Sequence, residues 1–365
     1  MTVMLKQPHL VPNFQDGLNR LRDLADTRPN ALALRHKHRG QWYVWRWRDV
    51  ADEVQRLASG LKLIGFTAGD NLAVSGDFGP HLLLIALAAR NNGGTVLAVA
   101  PDADAGEIAD LLGGRDVRYA FTQGRQNLAL WLQVAKQNDI DLRVIFDHAT
   151  SDGKISDSHA ITFEALRASG NASASGARIS RRNAGAAADL VWVEENTRWQ
   201  DGLDIVLHQW LQGALTLAFP ESLAASERDR REVAPRRMLL SATRLVALHD
   251  EIIGRFPPRG SWQRRLADWA VRSGGAFRGW WTSRLIVHLI RRPLGLRRLR
   301  EIAVITVAEG PVSTALPASV RQLFAGLAVF LAPQPGLSSP IQVEIQPAYR
   351  VPSTRPNSAP ALVNS

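Results

Sequence analysis

The sequence predicts an α/β protein made of two stacked, doubly wound lobes. Three observations lead there. Short apolar or β-branched runs alternate with segments of helical period. Residues 72–100 read as one strand-helix-strand unit, the signature of a parallel sheet. A stretch rich in Ala, Ser, Gly and Asn, 168–188, separates two regions that each show the alternation.

The elements follow in order. Residues 13–27 suit an amphipathic helix, with Phe14, Leu18, Leu21 and Ala25 on one side. Residues 31–35 and 42–46 suit an antiparallel pair around Arg39-Gly40. Val50, Val54, Leu57, Ala58, Leu61 and Ile64 form one apolar stripe, with Asp49 to cap its start and Gly65 to end it. Leu72 to Ser75 is a strand, Pro80 opens a helix to about Asn91, and Thr95 to Ala100 is a buried strand. Helices are expected at 104–112 and 127–137, strands at 118–122 and 142–147. Beyond 188 the strands are 188–193, 214–219, 237–241, 302–307 and 328–331; the helices are 205–211, 222–233, 244–256 and 316–327.

The domain reading is therefore a first lobe over 1–150, a linker over 151–188, and a second lobe over 189–332. An Arg/Trp-rich insertion occupies 259–300, and a Pro/Ser-rich tail 333–365 is expected to stay loose.

With 45% hydrophobic and 21% charged residues, the composition is that of a globular protein. Cysteine is absent, which excludes disulfides, thiolate metal sites and a cysteine nucleophile, and fits a reducing cytoplasm. The net charge of +10 favours anionic partners. The N-terminus lacks the apolar core of a signal peptide, and the longest apolar run, 82–89, is far short of a membrane span.

Arg28-Pro29, Ala31 to Arg35, Gly40, Trp42, Trp47, Val50, Gly60-Leu61, Gly65, Gly69-Asp70 and Gly76-Asp77 resemble the opening of the adenylate-forming acyl-CoA synthetases, particularly the long-chain fatty-acid ligases. Weaker resemblance runs almost to the end of the chain. It implies the large N-terminal part of such an enzyme, and a chemistry of ATP, Mg²⁺ and CoA.

That chemistry needs backbone N–H groups, a lysine and a cation to neutralise phosphate. The family places a Ser/Thr/Gly-rich loop ending in Lys directly after a short apolar strand. Here strand 188–193 is followed by Glu194-Glu195-Asn196-Thr197-Arg198-Trp199, with neither glycine nor lysine. Two carboxylates stand where phosphates would lie, and their like charge is expected to oppose ATP. The resemblance resumes at Leu211-Gln212-Gly213-Ala214, so a block containing the phosphate loop reads as deleted.

The family's adenine-side turn is matched by Thr306 to Pro311, where Glu309-Gly310 replaces paired glycines. Its Tyr-Gly-Leu-Thr-Glu segment is matched by 334–340, where Gly336-Leu337-Ser338 keeps a trace and the metal-binding Glu has become Ser339. A ribose-binding Asp and the C-terminal lid with its Lys find no counterpart. Glu194, Glu195, Thr197, Glu309, Gly310, Gly336 and Ser338 are thus degenerate motif positions, with no catalytic or metal-ligating residue assigned.

Residues 259–300 hold eleven arginines against one acid, Asp268, interleaved with Trp262, Trp269, Trp280 and Trp281. Arg with Trp suits an anionic membrane interface, with Trp280, Trp281, Arg284, Arg291, Arg292, Arg297 and Arg298 as candidate contacts. A plain structural insertion, as long-chain synthetases carry at this point, explains the segment equally. No zinc-finger, RNA-binding or helix-turn-helix signature points to nucleic acid.

Other candidates are weaker. His36 and His38 read as exposed histidines on the hairpin, Asp204 and His208 as helix neighbours, and the cluster Trp42, Tyr43, Trp45 and Trp47 as packing. The function expected is a degenerate, non-catalytic homologue in fatty-acid metabolism. It would be cytoplasmic or on the inner membrane face, and bind an acyl or nucleotide-like molecule. The alternatives are an active acyl-CoA ligase with a divergent site and a peripheral membrane adaptor.

Overall fold

The computed structural model describes residues 14–147, 157–170, 178–179, 190–199, 201–273, 287–306 and 316–335. Helix α1 (Phe14–Thr27) turns Leu18, Leu21 and Leu24 inward. Strands β1 (Leu32–His38) and β2 (Gln41–Arg46) pair antiparallel. The turn between them holds Arg39 and Gly40 at φ 48° and 74°, the left-handed pair that a two-residue hairpin requires. Helix α2 (Trp47–Leu63) starts where Asp49 accepts the Arg46 N–H at 2.9 Å. It ends at Gly65, φ 95°, which lets Phe66 N–H reach back to Leu61.

Five parallel strands follow: β3 (Asn71–Ser75), β4 (Thr95–Val99), β5 (Val117–Gln123), β6 (Arg143–Asp147) and β7 (Ala160–Thr162). They lie in the order β4-β3-β5-β6-β7. Helices α3 (Pro80–Asn91), α4 (Ala105–Arg115), α5 (Arg125–Gln137) and α6 (Phe163–Ser169) connect or follow them. Every residue from Leu82 to Ala89 is buried. A helix apolar all round must be covered all round, and α3 packs on α1, α2 and strands of both sheets.

The second sheet has eight strands, in the order β13-β12-β11-β9-β10-β1-β2-β8. New here are β8 (Arg178–Ile179), β9 (Leu190–Val193), β10 (Thr216–Phe219), β11 (Arg237–Ser241), β12 (Glu301–Thr306) and β13 (Phe330–Pro335). Its helices are α7 (Gly202–Gln212), α8 (Ser226–Val233), α9 (Ala242–Gly254), α10 (Trp262–Ser273) and α11 (Ala318–Gly326).

The hairpin β1-β2, placed by its sequence position in the first lobe, sits in this second sheet. β1 runs parallel to β10, with Leu34 opposite Leu217. Ala33 and Leu34 are both fully buried, so β1 needs cover on both faces, and the edge of a parallel sheet supplies it. The five-stranded sheet extends beyond residue 150 through β7. Within the stretch read as a linker, Gly170 packs on the Arg56 carbonyl and Tyr43 pairs with Ile179. Residues 171–177 and 180–189, like the tail from 336, lie outside the described residues.

Close packing makes Gly326 sensitive. A Cβ on Gly326 would overlap the Val271 carbonyl, where α11 crosses α10. Gly326→Ala is expected to cost roughly 1–3 kcal/mol, read as a shift in the urea midpoint at unchanged slope.

Candidate functional site

In doubly wound sheets ligands bind beyond the carboxyl ends of the strands, where the strand order reverses. Each sheet has one such crevice. In the five-stranded sheet it lies between β3 and β5; in the eight-stranded sheet, between β9 and β11.

The first crevice opens into a cavity of about 620 Å³. Residues after β3 (Asp77 to His81), after β5 (Gln123 to Arg125) and at the end of β6 (Asp147) form one side. His36, His38, Tyr43 and Trp45 of the hairpin, with Pro220 to Leu223 after β10, form the other. Phe78 and Phe163 extend the aromatic wall. The volume and mixed lining suit a small organic ligand.

His81 is the best-defined group in it. Its Nδ1 lies 3.0 Å from Asp147 Oδ2, and its ring stacks on Phe163 at 4.2 Å. Burial lowers the His81 pKa, but Asp147, with Glu164 and Glu53 behind it, outweighs burial and raises it. Burial raises that of Asp147, and His81 reverses this, holding the carboxyl below its ordinary range. His36 is pushed down to about 3, by burial first and by His81 and His38 next, so it stays neutral. Asp77 is raised by burial, which the Leu223 N–H offsets only in part. Glu53 is held by Arg56 at 3.1 Å and Arg167 at 2.5 Å.

Asp147→Asn removes the main group that raises His81. The imidazole should then titrate at lower pH than in the parent, followed by NMR of its ring protons.

The histidines read from sequence as exposed are corrected here: His36 and His38 are partly buried and line the cavity. Alternation along β1 places them on one face with Leu34, and that face meets the other lobe. The tryptophan cluster divides. Trp47 stacks on Trp210 at 5.3 Å, Trp42 lies under the Arg35 guanidinium at 4.3 Å, and Tyr43 and Trp45 reach the cavity. Asp204 pairs with Arg90 rather than His208.

The second crevice holds Glu194, Glu195 and Thr197. Glu194 is fully buried. Its carboxylate meets the Arg230 guanidinium at 2.8 Å and Arg244 at 3.0 Å, and accepts Trp192 Nε1–H at 2.8 Å. Burial raises its pKa, but the two arginines prevail and keep it below the usual carboxylate range. Glu195 accepts the Ser241 N–H at 2.5 Å, at the N-terminus of α9. Burial, aided by the charge of Glu194, lifts it to about 7 against that hydrogen bond.

Thr197 ties the lobes together: its Oγ1 accepts the Gly76 N–H at 3.0 Å and donates to the Val99 carbonyl. Phe78 N–H donates to the Glu195 carbonyl at 2.8 Å, and Thr197 N–H to Gly76 at 3.0 Å.

This corrects the like-charge expectation. The carboxylates do not face an open phosphate site; they are buried, and Glu194 is neutralised. A helix N-terminus beside two arginines is where a phosphate would bind. Here Glu195 takes the helix N-terminus and Glu194 the arginines. As placed, these residues do not fit a triphosphate with its Mg²⁺.

Glu309, Gly310, Gly336, Ser338, Trp280, Trp281 and Arg284 lie outside the described residues. Arg291 turns inward, its guanidinium donating to the carbonyls of Leu296 (2.9 Å), Leu327 (3.1 Å) and Leu299. Arg292, Arg297 and Arg298 are exposed. Among the described residues, no group of three or more His, Asp or Glu is placed to hold a metal ion, and no helix is long and apolar enough to cross a membrane.

A parallel and a mixed sheet packed around a buried α3, with a crevice in each, form an architecture similar to the large domain of adenylate-forming enzymes. Residues 21–187 match the family model described as AMP-binding enzyme. Acyl-CoA synthetase from Brucella canis is similar in fold, at a TM-score of 0.59 and 17% identity over 86% of this chain and 56% of that one. Acetoacetyl-CoA synthetase from Streptomyces lividans gives 0.57 and 16%, over 87% and 51%. The anthranilate CoA ligase AuaEII, in complex with anthranoyl-AMP, gives 0.57 and 13%, over 86% and 58%. No curated protein matches in sequence. The chain spans about half the length of these solved structures. Residues 21–187 thus match the AMP-binding family, and the fold is similar to that of the acyl-CoA synthetases.

Proposed function

We propose that this chain is a non-catalytic homologue of the adenylate-forming ligases. It binds a small molecule, acyl or nucleotide-like, in the cavity between β3 and β5, and serves as an accessory protein of fatty-acid metabolism in the cytoplasm. One observation carries the reading. The loop after β9 buries Glu194 against Arg230 and Arg244, so the groups that would receive a phosphate already hold a carboxylate. The family match is consistent with this, ending at residue 187, just before β9. The cavity is spared: His81, Asp147 and Phe163 hold one another without that loop.

Calorimetry with AMP, CoA, fatty acids and acyl-CoA, beside pyrophosphate exchange with the same acids, tests it. Saturable binding of one ligand without exchange is the expected result. Sustained exchange by the pure protein would replace this reading with an active acyl-CoA ligase of divergent site. Trp45→Ala should weaken the bound ligand about tenfold or more, since a buried aromatic wall is worth upward of about 1 kcal/mol.

A further inference from the structure

We propose that the outward face of α10 docks on an anionic phospholipid surface. This goes beyond the small-molecule reading and does not depend on it. Six large apolar side chains are exposed among the described residues, and four of them, Trp262, Leu266, Trp269 and Leu289, fall within 262–289. Trp262 is 72% exposed. Trp262, Leu266 and Trp269 are spaced four and three apart, so they form one row along the helix. Ala267 and Val271, on the opposite face, are buried, and Val271 packs on Gly326 of α11. The helix is thus anchored on one side and apolar on the other.

Leu289 is exposed on a separate helical turn. The helical turn 287–291 is held at α11 by Arg291, bonded to Leu327, the residue after Gly326. Arg259 and Arg265, each three residues from Trp262, are exposed, and so is Arg292, three residues past Leu289. The one acid of the segment, Asp268, is neutralised by Arg264 at 2.9 Å. A helix lying flat with Trp and Leu on its free face and Arg beside them fits the headgroup layer, where Trp settles and Arg pairs with phosphate. Nucleic acid would reward the charge but not the leucines, and a protein partner would need a rim of acids to match.

Flotation of the whole chain with phosphatidylcholine vesicles, with and without phosphatidylglycerol, tests this. The protein should float only with the anionic vesicles and be released by high salt. Arg259→Gln with Arg265→Gln should weaken partition about 25-fold, at roughly fivefold for each charge. Trp262→Ser with Leu266→Ser should weaken it about tenfold or more. Leu63→Ser, at another exposed leucine, should leave it unchanged. Both the mutated pairs and the control lie at exposed positions, and their melting curves should overlay the parent's. No flotation at low salt would overturn the proposal. So would equal binding to neutral vesicles, insensitivity to both double variants, or capture of nucleic acid with no vesicle binding.

Discussion

Arg230→Met is expected to destabilise the protein by about 3–5 kcal/mol, the largest loss from any single substitution considered. Arg230 and Glu194 are both fully buried, and the guanidinium also donates to the Leu294 carbonyl at 2.9 Å. Methionine fills the volume but leaves the Glu194 carboxylate with only Arg244 and Trp192. The remaining charge then sits in a medium that solvates it poorly, so most of the loss is the penalty of a half-abandoned ion. Glu194→Gln with Arg230→Met should recover much of it, because neither partner is left charged. Urea unfolding of the two single variants and the double variant reads the coupling directly. If the single and double variants lost equal stability, the ion pair would not be the cause.

The second large effect concerns pH. Glu195 keeps its proton in the folded protein up to about 7, against 4.5 in its absence of context. Between those values the folded state binds a proton that the unfolded chain has released. This contribution is therefore full below 4.5 and lost as pH rises through 7, an effect of about 3 kcal/mol. Glu195→Gln still offers an oxygen to the Ser241 N–H but does not titrate. Its stability relative to the parent should rise between pH 5 and pH 8 and then level off. Glu194 works in the opposite sense: its pKa is held down, so its contribution is lost only as pH falls below 4.5. The two windows do not overlap, and parallel pH profiles for parent and Glu195→Gln would contradict the assignment.

Much of the architecture was legible because it is local. The α2 stripe, the Pro80 start of α3 and the Arg39-Gly40 turn each follow from a few neighbouring residues. The sheet that receives the hairpin was not legible, since β1 meets β10 across more than 180 positions and nothing near Leu34 names Leu217. The loop was half legible. Its lack of glycine and lysine is plain in the sequence. Its charge was misread because Arg230 and Arg244 lie 36 and 50 residues away. A signal was present: two acids directly after the wholly buried run Leu190 to Val193 must enter the interior with partners or turn out to solvent. The cavity had a signal too. Asp77, Gln123 and Asp147 each stand at or just past the end of a parallel strand, where the strand-order rule places ligands.

The central claim is that the protein's own carboxylates occupy the place of a phosphate. Equilibrium binding of Mg·ATP to the purified chain, by calorimetry and by NMR of the Trp192 indole N–H, tests it most directly. The account predicts no saturable heat up to millimolar nucleotide and an unmoved indole resonance, because Glu194 keeps that hydrogen bond. Saturable binding accompanied by a shift of the Trp192 resonance would mean that nucleotide displaces Glu194, and would contradict it.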